Sequence, residues 1–283
     1  MGVRRPAVAG SFYPSRSSEL IKMIESLFRS LGSEGVPQPN SSGTRRIASI
    51  VAPHAGYIYS GRTAAAAYSL LANDGVPESF VILGPNHTGL GSAFAVTKSE
   101  YWETPLGRLE VDSELAEAIA SHFEELYFDD LAHTWEHSIE VQLPFLQAIY
   151  GSEVRIVPIV MGIQEPENSA ELGIAVALAS EELGRDVVVI ASSDMSHYVP
   201  EEEAVRRDSA AIEAIISMDI SKLFRVIREL DVSMCGPGPV SAAISFAKSK
   251  GVERGELVRY STSAETSGDR SFVVGYASVV FRR

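Results

Sequence analysis

Four short and nearly continuous apolar segments limit most strongly what this chain can fold into. They cover residues 46–52, 79–84, 154–162 and 186–194, and three of them are followed by a segment with helical periodicity. Strands that are covered on both faces have this composition, because a parallel sheet carries helices on each side. The pattern therefore predicts an α/β fold with a mostly parallel central sheet and helices on both faces.

The remaining segments fit one domain that spans residues 1–283. Apolar periodicity predicts a helix that ends at Gly32 and another helix over residues 61–73. Residues 32–46 are rich in Gly, Pro, Ser and Asn, which predicts a mobile surface loop. Residues 256–281 predict two late strands with a polar turn between them.

Charge and cysteine content exclude several classes of protein. The chain has 24 basic and 37 acidic residues, a net charge of -13, whereas binding to nucleic-acid phosphates requires basic surfaces. A single cysteine cannot form an internal disulfide, which is typical of cytoplasmic proteins. No apolar run approaches the ~20 residues of a membrane span. We therefore predict a cytoplasmic protein that binds neither nucleic acid nor a membrane.

Histidines and an aspartate follow three of the four predicted strands. His54 comes after the first strand and a proline, and His87 lies three residues beyond the second strand. Asp194 and His197 follow the fourth strand. In an open α/β sheet, ligands bind beyond the carboxyl ends of the strands, where these loops gather. We expect the four side chains to face one site at this edge.

Two other segments supply candidate residues. Cys235, the only cysteine, stands in a Gly/Pro turn before a predicted helix, whose dipole would lower the pKa of its thiol. His137 lies beside Glu136 near the start of a predicted helix that Pro144 would bend. An acidic group in such a position can orient a metal-bound histidine.

Each of these residues also has a purely structural interpretation. A buried cysteine often only fills space, Asp194 could cap a helix, and His137 could be a core histidine. His122 and His133 are expected to be exposed or to have local partners. No dinucleotide fingerprint, P-loop or G-x-S-x-G elbow is present. Taken together, the turns beyond the strands favour a metal site or an acid–base site.

Seven ordered motifs also resemble those of a known family. They are "RRPAVAGSFYP", "APHAGYIYSG", "GPNHTG", "ETPLG", "EHSIEVQLPFLQ", "SSDMSHY" and "CGPGP". Together they are similar to the Memo family from residue 4 to near the carboxyl end. This resemblance implies a fold like that of the class III extradiol ring-cleaving dioxygenases, which are non-haem iron enzymes.

The resemblance also implies roles for individual residues. His54 and His87 resemble the iron-binding histidines of the dioxygenases, and Cys235 takes the place of their carboxylate ligand. His197 resembles the acid–base histidine, and Asp194 and His137 are predicted to orient the catalytic site or substrate. The expected cofactor is one divalent metal ion. Fe(II) is the first choice, and Cu or Zn is an alternative because a thiolate is a softer ligand.

Two functions follow from this resemblance. The first is a metal-dependent redox enzyme with a dioxygenase-like cleft, acting on a small-molecule or peptide substrate. The alternative is a non-catalytic adaptor that binds a peptide or partner protein in the same pocket, as mammalian relatives are implicated in binding phosphotyrosine segments. The resemblance further implies radical-SAM and AMMECR-type proteins as partners.

Overall fold

The computed structural model describes residues 2–42 and 45–283. Its strands are β1 (Val3–Arg4), β2 (Ile47–Ala52), β3 (Ser79–Pro85), β4 (Phe94–Val96), β5 (Tyr101–Thr104), β6 (Gly107–Val111), β7 (Leu126–Phe128), β8 (Arg155–Met161), β9 (Val187–Ser192), β10 (His197–Val199), β11 (Gly255–Thr262) and β12 (Val273–Arg282). Its helices are α1 (Ser17–Arg29), α2 (Tyr57–Asp74), α3 (Ser113–His122), α4 (Leu143–Tyr150), α5 (Pro166–Glu182), α6 (Glu201–Ile216), α7 (Ile220–Leu230), α8 (Pro237–Ser249) and α9 (Ala264–Ser267).

A single large sheet forms the centre of the molecule. Its middle strands are parallel and stand in the order β6-β8-β3-β9-β2. β5 pairs antiparallel with β6 at one side, and β12 pairs antiparallel with β2 at the other side. β10 and β11 are both antiparallel to β12. The sheet as a whole is therefore mixed, and its centre is parallel as predicted.

Apolar side chains on the two faces of this sheet belong to two separate clusters. In β9, Val187 and Val189 belong to the cluster formed with α3, α5 and α8. Val188 and Ile190 belong to the cluster formed with α1, α2 and α4. Successive residues of a strand point to opposite faces, so the continuous apolar run of β9 is explained by helices on both sides. The predicted α/β fold class is confirmed.

Two predicted details differ from the structure. The helix predicted over residues 61–73 begins earlier, at Tyr57, directly after the turn that carries His54. Pro144 does not bend a helix, because it lies in the first turn of α4 and the helix begins there. Proline is favoured in the first turn, where its missing N–H would have no intrahelical acceptor.

Asn40 and Arg45 of the segment predicted as a mobile loop lie at the end of α2 that is far from His54. Residues 43 and 44 of this segment lie outside the described residues. The backbone N–H of Asn40 donates to Ala72 O at 2.8 Å, and Arg45 forms an ion pair with Asp74 at 3.2 Å, so both contact the last turn of α2. His54 precedes the first turn of the same 18-residue helix, which is about 27 Å long. The mobility of this segment remains a prediction.

No helix in the described part of the chain combines the length and the apolar character needed to cross a membrane.

Candidate metal centre

The loops that follow β2, β3 and β9 meet at the carboxyl edge of the sheet and line a cleft of about 640 Å³. His54, His87, His137, Asp194 and His197 all lie in its lining. One ligand atom from each of His54, His87 and His137 lies within 4.8 Å of the other two. This group of three histidines could hold a metal ion.

The hydrogen bonds around His54 determine which of its ring nitrogens is free. His54 is buried, and its Nδ1 lies 2.8 Å from Ser192 Oγ. That hydroxyl donates its only hydrogen to Ser138 O at 2.6 Å and accepts a hydrogen bond from Gln142 Nε2 at 2.8 Å. Ser192 Oγ can therefore only accept from His54, so Nδ1 carries the proton. The lone pair of His54 is on Nε2 and is available to a metal.

The side-chain amide of Gln142 is itself fixed in one orientation. Its Oε1 accepts from Tyr68 Oη at 2.8 Å, and its Nε2 donates to Pro53 O at 3.1 Å. Reversing the amide would place Oε1 against a carbonyl that has no hydrogen to donate. Gln142 therefore acts only as a donor toward Ser192.

We expect this hydrogen-bond chain to contribute to metal affinity. Replacing Ser192 with alanine removes the acceptor for His54 Nδ1, so the ring can rotate or change tautomer. Loss of such a partner lowers metal affinity by about 10- to 100-fold. A competition titration with a chromophoric chelator would measure the change, and Ser121→Ala in α3 is a control because Ser121 is exposed and binds only Ala118 O. Equal metal affinity in both variants would contradict the assigned role.

His87 is oriented by a carboxylate. Its Nδ1 lies 2.9 Å from Glu136 Oε1, and its backbone N–H donates to Glu136 Oε2 at 2.5 Å. Burial alone would raise the pKa of Glu136. The hydrogen bond and charge of His87, together with the N–H of Ser138, outweigh burial and lower that pKa to about 2. An ionised Glu136 accepts the proton of Nδ1, which leaves His87 Nε2 free as a ligand.

Burial keeps the other two imidazoles neutral. The pKa of His137 is lowered to about 4; burial is the main cause, Glu136 opposes it and the neighbouring His87 adds to it. The pKa of His54 is also lowered by burial, with smaller contributions from His137 and His87. The rings of His87 and His137 stack with their centroids 4.6 Å apart. Neutral imidazole is the form that binds a metal, so His54 and His137 are prepared for a cation at neutral pH.

Cys235 approaches the same site from the start of α8. Its Sγ lies 3.2 Å from His54 Nε2. Gly236 makes this approach possible, because a Cβ at that position would lie 2.6 Å from Ser192 O. The close packing therefore brings the thiol to the free nitrogen of His54.

The predicted lowering of the Cys235 pKa is wrong for the metal-free protein. Burial raises the pKa of the thiol, and the charge of Asp194 raises it further, whereas hydrogen bonds from backbone N–H groups only partly oppose this effect. Desolvation of a buried thiolate exceeds the stabilisation by the helix dipole. The thiol is therefore protonated and can donate to His54 Nε2.

Asp194 and His197 complete the inner part of the cleft. Asp194 Oδ1 accepts a hydrogen bond from the backbone N–H of His54 at 2.8 Å. Burial raises the pKa of Asp194 to about 6, although this hydrogen bond favours the ionised form and lowers the pKa. His197 Nδ1 lies 2.8 Å from Ser233 O. A carbonyl can only accept, so this nitrogen carries the proton and His197 Nε2 is the basic nitrogen.

All six residues predicted for the site lie in the cleft or beside it. The three residues that could hold a metal ion, however, are not the three that were predicted as ligands. Among the described residues, the group whose ligand atoms are mutually within 4.8 Å consists of His54, His87 and His137 and does not include Cys235. Cys235 Sγ lies 3.2 Å from His54 Nε2. The assignment of Cys235 as a ligand and of His137 as a catalytic residue remains a prediction.

Two expectations about the remaining histidines have different outcomes. His122 is exposed as expected, and its Nε2 lies 2.8 Å from Glu182 Oε2. His133 is fully buried, and burial with the charge of Arg4 lowers its pKa to about 4, although Asp130 and a backbone hydrogen bond with Ala95 oppose this change. The expectation for His133 is therefore wrong, because the ring packs against Trp102 inside the protein.

The family model and the most similar curated proteins agree on one family. Residues 4–280 match the family described as Memo-like protein. A MEMO1 family protein of Methanopyrus kandleri is 49% identical over 281 residues, covering 99% of each chain. A MEMO1 family protein of Thermococcus kodakarensis is 50% identical over 298 residues, covering 99% of this chain and 100% of the relative.

A solved structure is similar in fold. It is the crystal structure of an uncharacterized protein from Escherichia coli K12, with a TM-score of 0.57 and 13% sequence identity. The similarity covers 83% of this chain and 99% of the other chain. At this identity the comparison supports the α/β fold alone.

Proposed function

The chain belongs to the Memo-like protein family, and on this basis we propose that it is a cytoplasmic, metal-dependent redox enzyme that acts on a small molecule. The observation that carries the proposal is the convergence of three histidines from separate segments within 4.8 Å of one another. Hydrogen bonds leave Nε2 free in His54 and His87, so these two rings have the orientation that metal ligands require.

In this proposal, His54, His87 and Cys235 hold one divalent metal, with Fe(II) as the first choice and Cu or Zn as alternatives. Imidazole nitrogen and thiolate sulfur are both ligands of Zn²⁺, and both also suit iron and copper. His54 Nε2 and Cys235 Sγ lie 3.2 Å apart, which supports a shared ion. When bound, iron or copper would supply both a Lewis acid and a redox centre.

The other residues of the cleft bind substrate and move protons. His197 accepts or returns a proton at Nε2, because its Nδ1 is already bound to Ser233 O. Asp194 fixes the turn that carries His54 through the backbone N–H of His54. His137 stacks on His87 and presents a neutral ring to the cleft.

Oxygen consumption with phenolic compounds tests this function. We expect the iron-loaded protein to consume oxygen and the zinc-loaded protein not to do so. We also expect His197→Ala to slow the reaction by about a hundredfold while metal content stays unchanged. If the iron-loaded protein consumes no oxygen with any phenolic compound, the enzymatic proposal is wrong.

The alternative function is that of an adaptor, and it is favoured by the exposed rings of Tyr198 and Phe272 beside the opening of the cleft. A phosphopeptide, however, is usually bound by arginine, and among the described residues the lining contains neither arginine nor lysine. Submillimolar binding of a phosphopeptide in calorimetry would favour the adaptor.

We also propose radical-SAM and AMMECR-type proteins as partners, which copurification would test.

A further inference from the structure

We infer that the outer half of this cleft binds a small cationic amine and so selects a substrate that carries one. This inference rests on the proposed function, because the inner half of the cleft would hold the metal. The outer half is formed by the aromatic residues Tyr59, Tyr198, Phe272 and Tyr276, together with the carboxylate of Asp269.

The charges of the lining favour a cation over an anion. Apart from its histidines, the ionisable groups of the described lining are tyrosines and the carboxylates of Asp194 and Asp269, and no arginine or lysine is among them. Arg270, which follows Asp269, forms an ion pair with Glu201 at 2.8 Å. An anionic substrate would therefore have no positively charged side chain to pair with in the outer half.

Aromatic rings are unusually exposed in this part of the cleft. Tyr198 is 74% exposed and Phe272 is 68% exposed, although both line a cavity. The faces of such rings attract cations, and groups of aromatic residues bind alkylated ammonium ions in this way. A carboxylate beside several exposed rings combines the two interactions that bind an organic cation.

Tyr276 adds a polar group to the outer half of the cleft. Its side chain is only 1% exposed and lines the cleft. Burial raises its pKa, and the nearby Asp194, Tyr59 and Tyr198 raise it further, so the phenol stays neutral. A neutral phenol can donate and accept, so a polar group of the bound ligand can form a hydrogen bond with it.

The wall that carries Asp269 and Phe272 is held in place before any ligand binds. We call residues 263–272, between β11 and β12, the rim segment. Glu265 of this segment pairs with Arg62 of α2 at 2.6 Å, and Thr266 Oγ1 donates to Ile58 O at 2.8 Å. The outer half of the cleft is therefore preformed, which reduces the entropy lost on binding a small molecule.

Calorimetry with three probes of similar shape tests the inference: 2-phenylethylamine, 2-phenylethanol and phenylacetate. In the metal-free, full-length protein we expect the amine to bind about threefold more tightly than the alcohol and at least about tenfold more tightly than phenylacetate. Asp269→Asn should remove about threefold of the amine affinity and leave the alcohol unchanged. Phe272→Leu should weaken amine binding by about threefold to tenfold.

Asp231→Asn is the matched control, because it also removes one carboxylate but lies at the end of α7, outside the cleft. Phenylacetate binding as tightly as the amine, or equal effects of Asp269→Asn and Asp231→Asn, would overturn the inference. Binding in metal-free protein is independent of the redox proposal. If the metal-free protein does not prefer the amine, but the protein still binds metal normally, this inference is refuted and the redox proposal is unaffected.

Discussion

Alanine at His54 is expected to lower the affinity for a divalent metal by more than about a hundredfold. The loss of a residue that only orients a ligand costs about 10- to 100-fold, and the loss of a ligand itself should cost more. His54 is central because its Nε2 lies within reach of both the histidine group and Cys235 Sγ. Competition titrations with Zn²⁺ and with Fe²⁺ under anaerobic conditions would measure the change.

The same titrations identify the third ligand. We expect Cys235→Ser to lower the affinity for Zn²⁺ by more than about tenfold, because a hydroxyl is a poorer ligand than a thiolate for this metal. His137→Ala should change the affinity by less than about threefold. If His137→Ala instead lowers the affinity for Zn²⁺ strongly and Cys235→Ser hardly changes it, the third ligand is His137. His122→Ala serves as the control, since His122 lies on α3 and binds Glu182; equal metal affinity in His54→Ala and His122→Ala would refute the site.

Alanine at Glu140 is expected to lower the free energy of unfolding by about 3–5 kcal/mol. Glu140 is fully buried and forms an ion pair with the buried Arg4. Its carboxylate also accepts from Tyr13 Oη at 2.5 Å and from the N–H of Ala7 at 2.8 Å and Val8 at 3.0 Å. The substitution would leave a buried guanidinium without its carboxylate, which is the main cause of the expected loss.

Chemical denaturation would measure this loss. Glu19→Ala is the matched control, because Glu19 pairs with Arg16 on the exposed surface, and such pairs contribute about 0.2–1 kcal/mol. The double variant Arg4→Met, Glu140→Leu should recover much of the stability, since it removes both charges. A loss below about 1 kcal/mol in Glu140→Ala would show that Arg4 does not need this partner.

Arg4 of this pair also holds a segment that lines the candidate site. Arg4 donates to Glu136 O at 2.6 Å and to His133 O at 3.0 Å. It therefore holds the segment that carries Glu136, whose carboxylate orients His87. We expect any Glu140→Ala protein that remains folded to bind metal more weakly than the wild type. Elemental analysis of the purified variant would test this.

Much of the site could be predicted from sequence because it follows from the position of residues relative to strands. The carboxyl ends of parallel strands meet at one edge, and β2, β3 and β9 are adjacent and parallel. His54, His87 and Asp194 therefore had to come close together once the strands were recognised. No knowledge of side-chain packing was needed for that inference.

The residues that orient these ligands could not be predicted in the same way. Ser192 reaches His54, Ser138 and Gln142, which are 138, 54 and 50 positions away in the chain. Gln142 is a polar residue within an apolar segment, and that pattern does not reveal its partner. These contacts depend on how α4 and its preceding turn pack on the sheet.

The sequence by itself determined the α/β fold class and the edge of the sheet where the histidines gather, because apolar periodicity is a local property that fixes strands and helices. Tertiary structure alone decided which nitrogen of His54 is free and whether the Cys235 thiol is ionised. Both depend on burial and on donors from distant segments. Desolvation acts on the complete environment of a group, and neighbouring residues in the sequence supply only a small part of that environment.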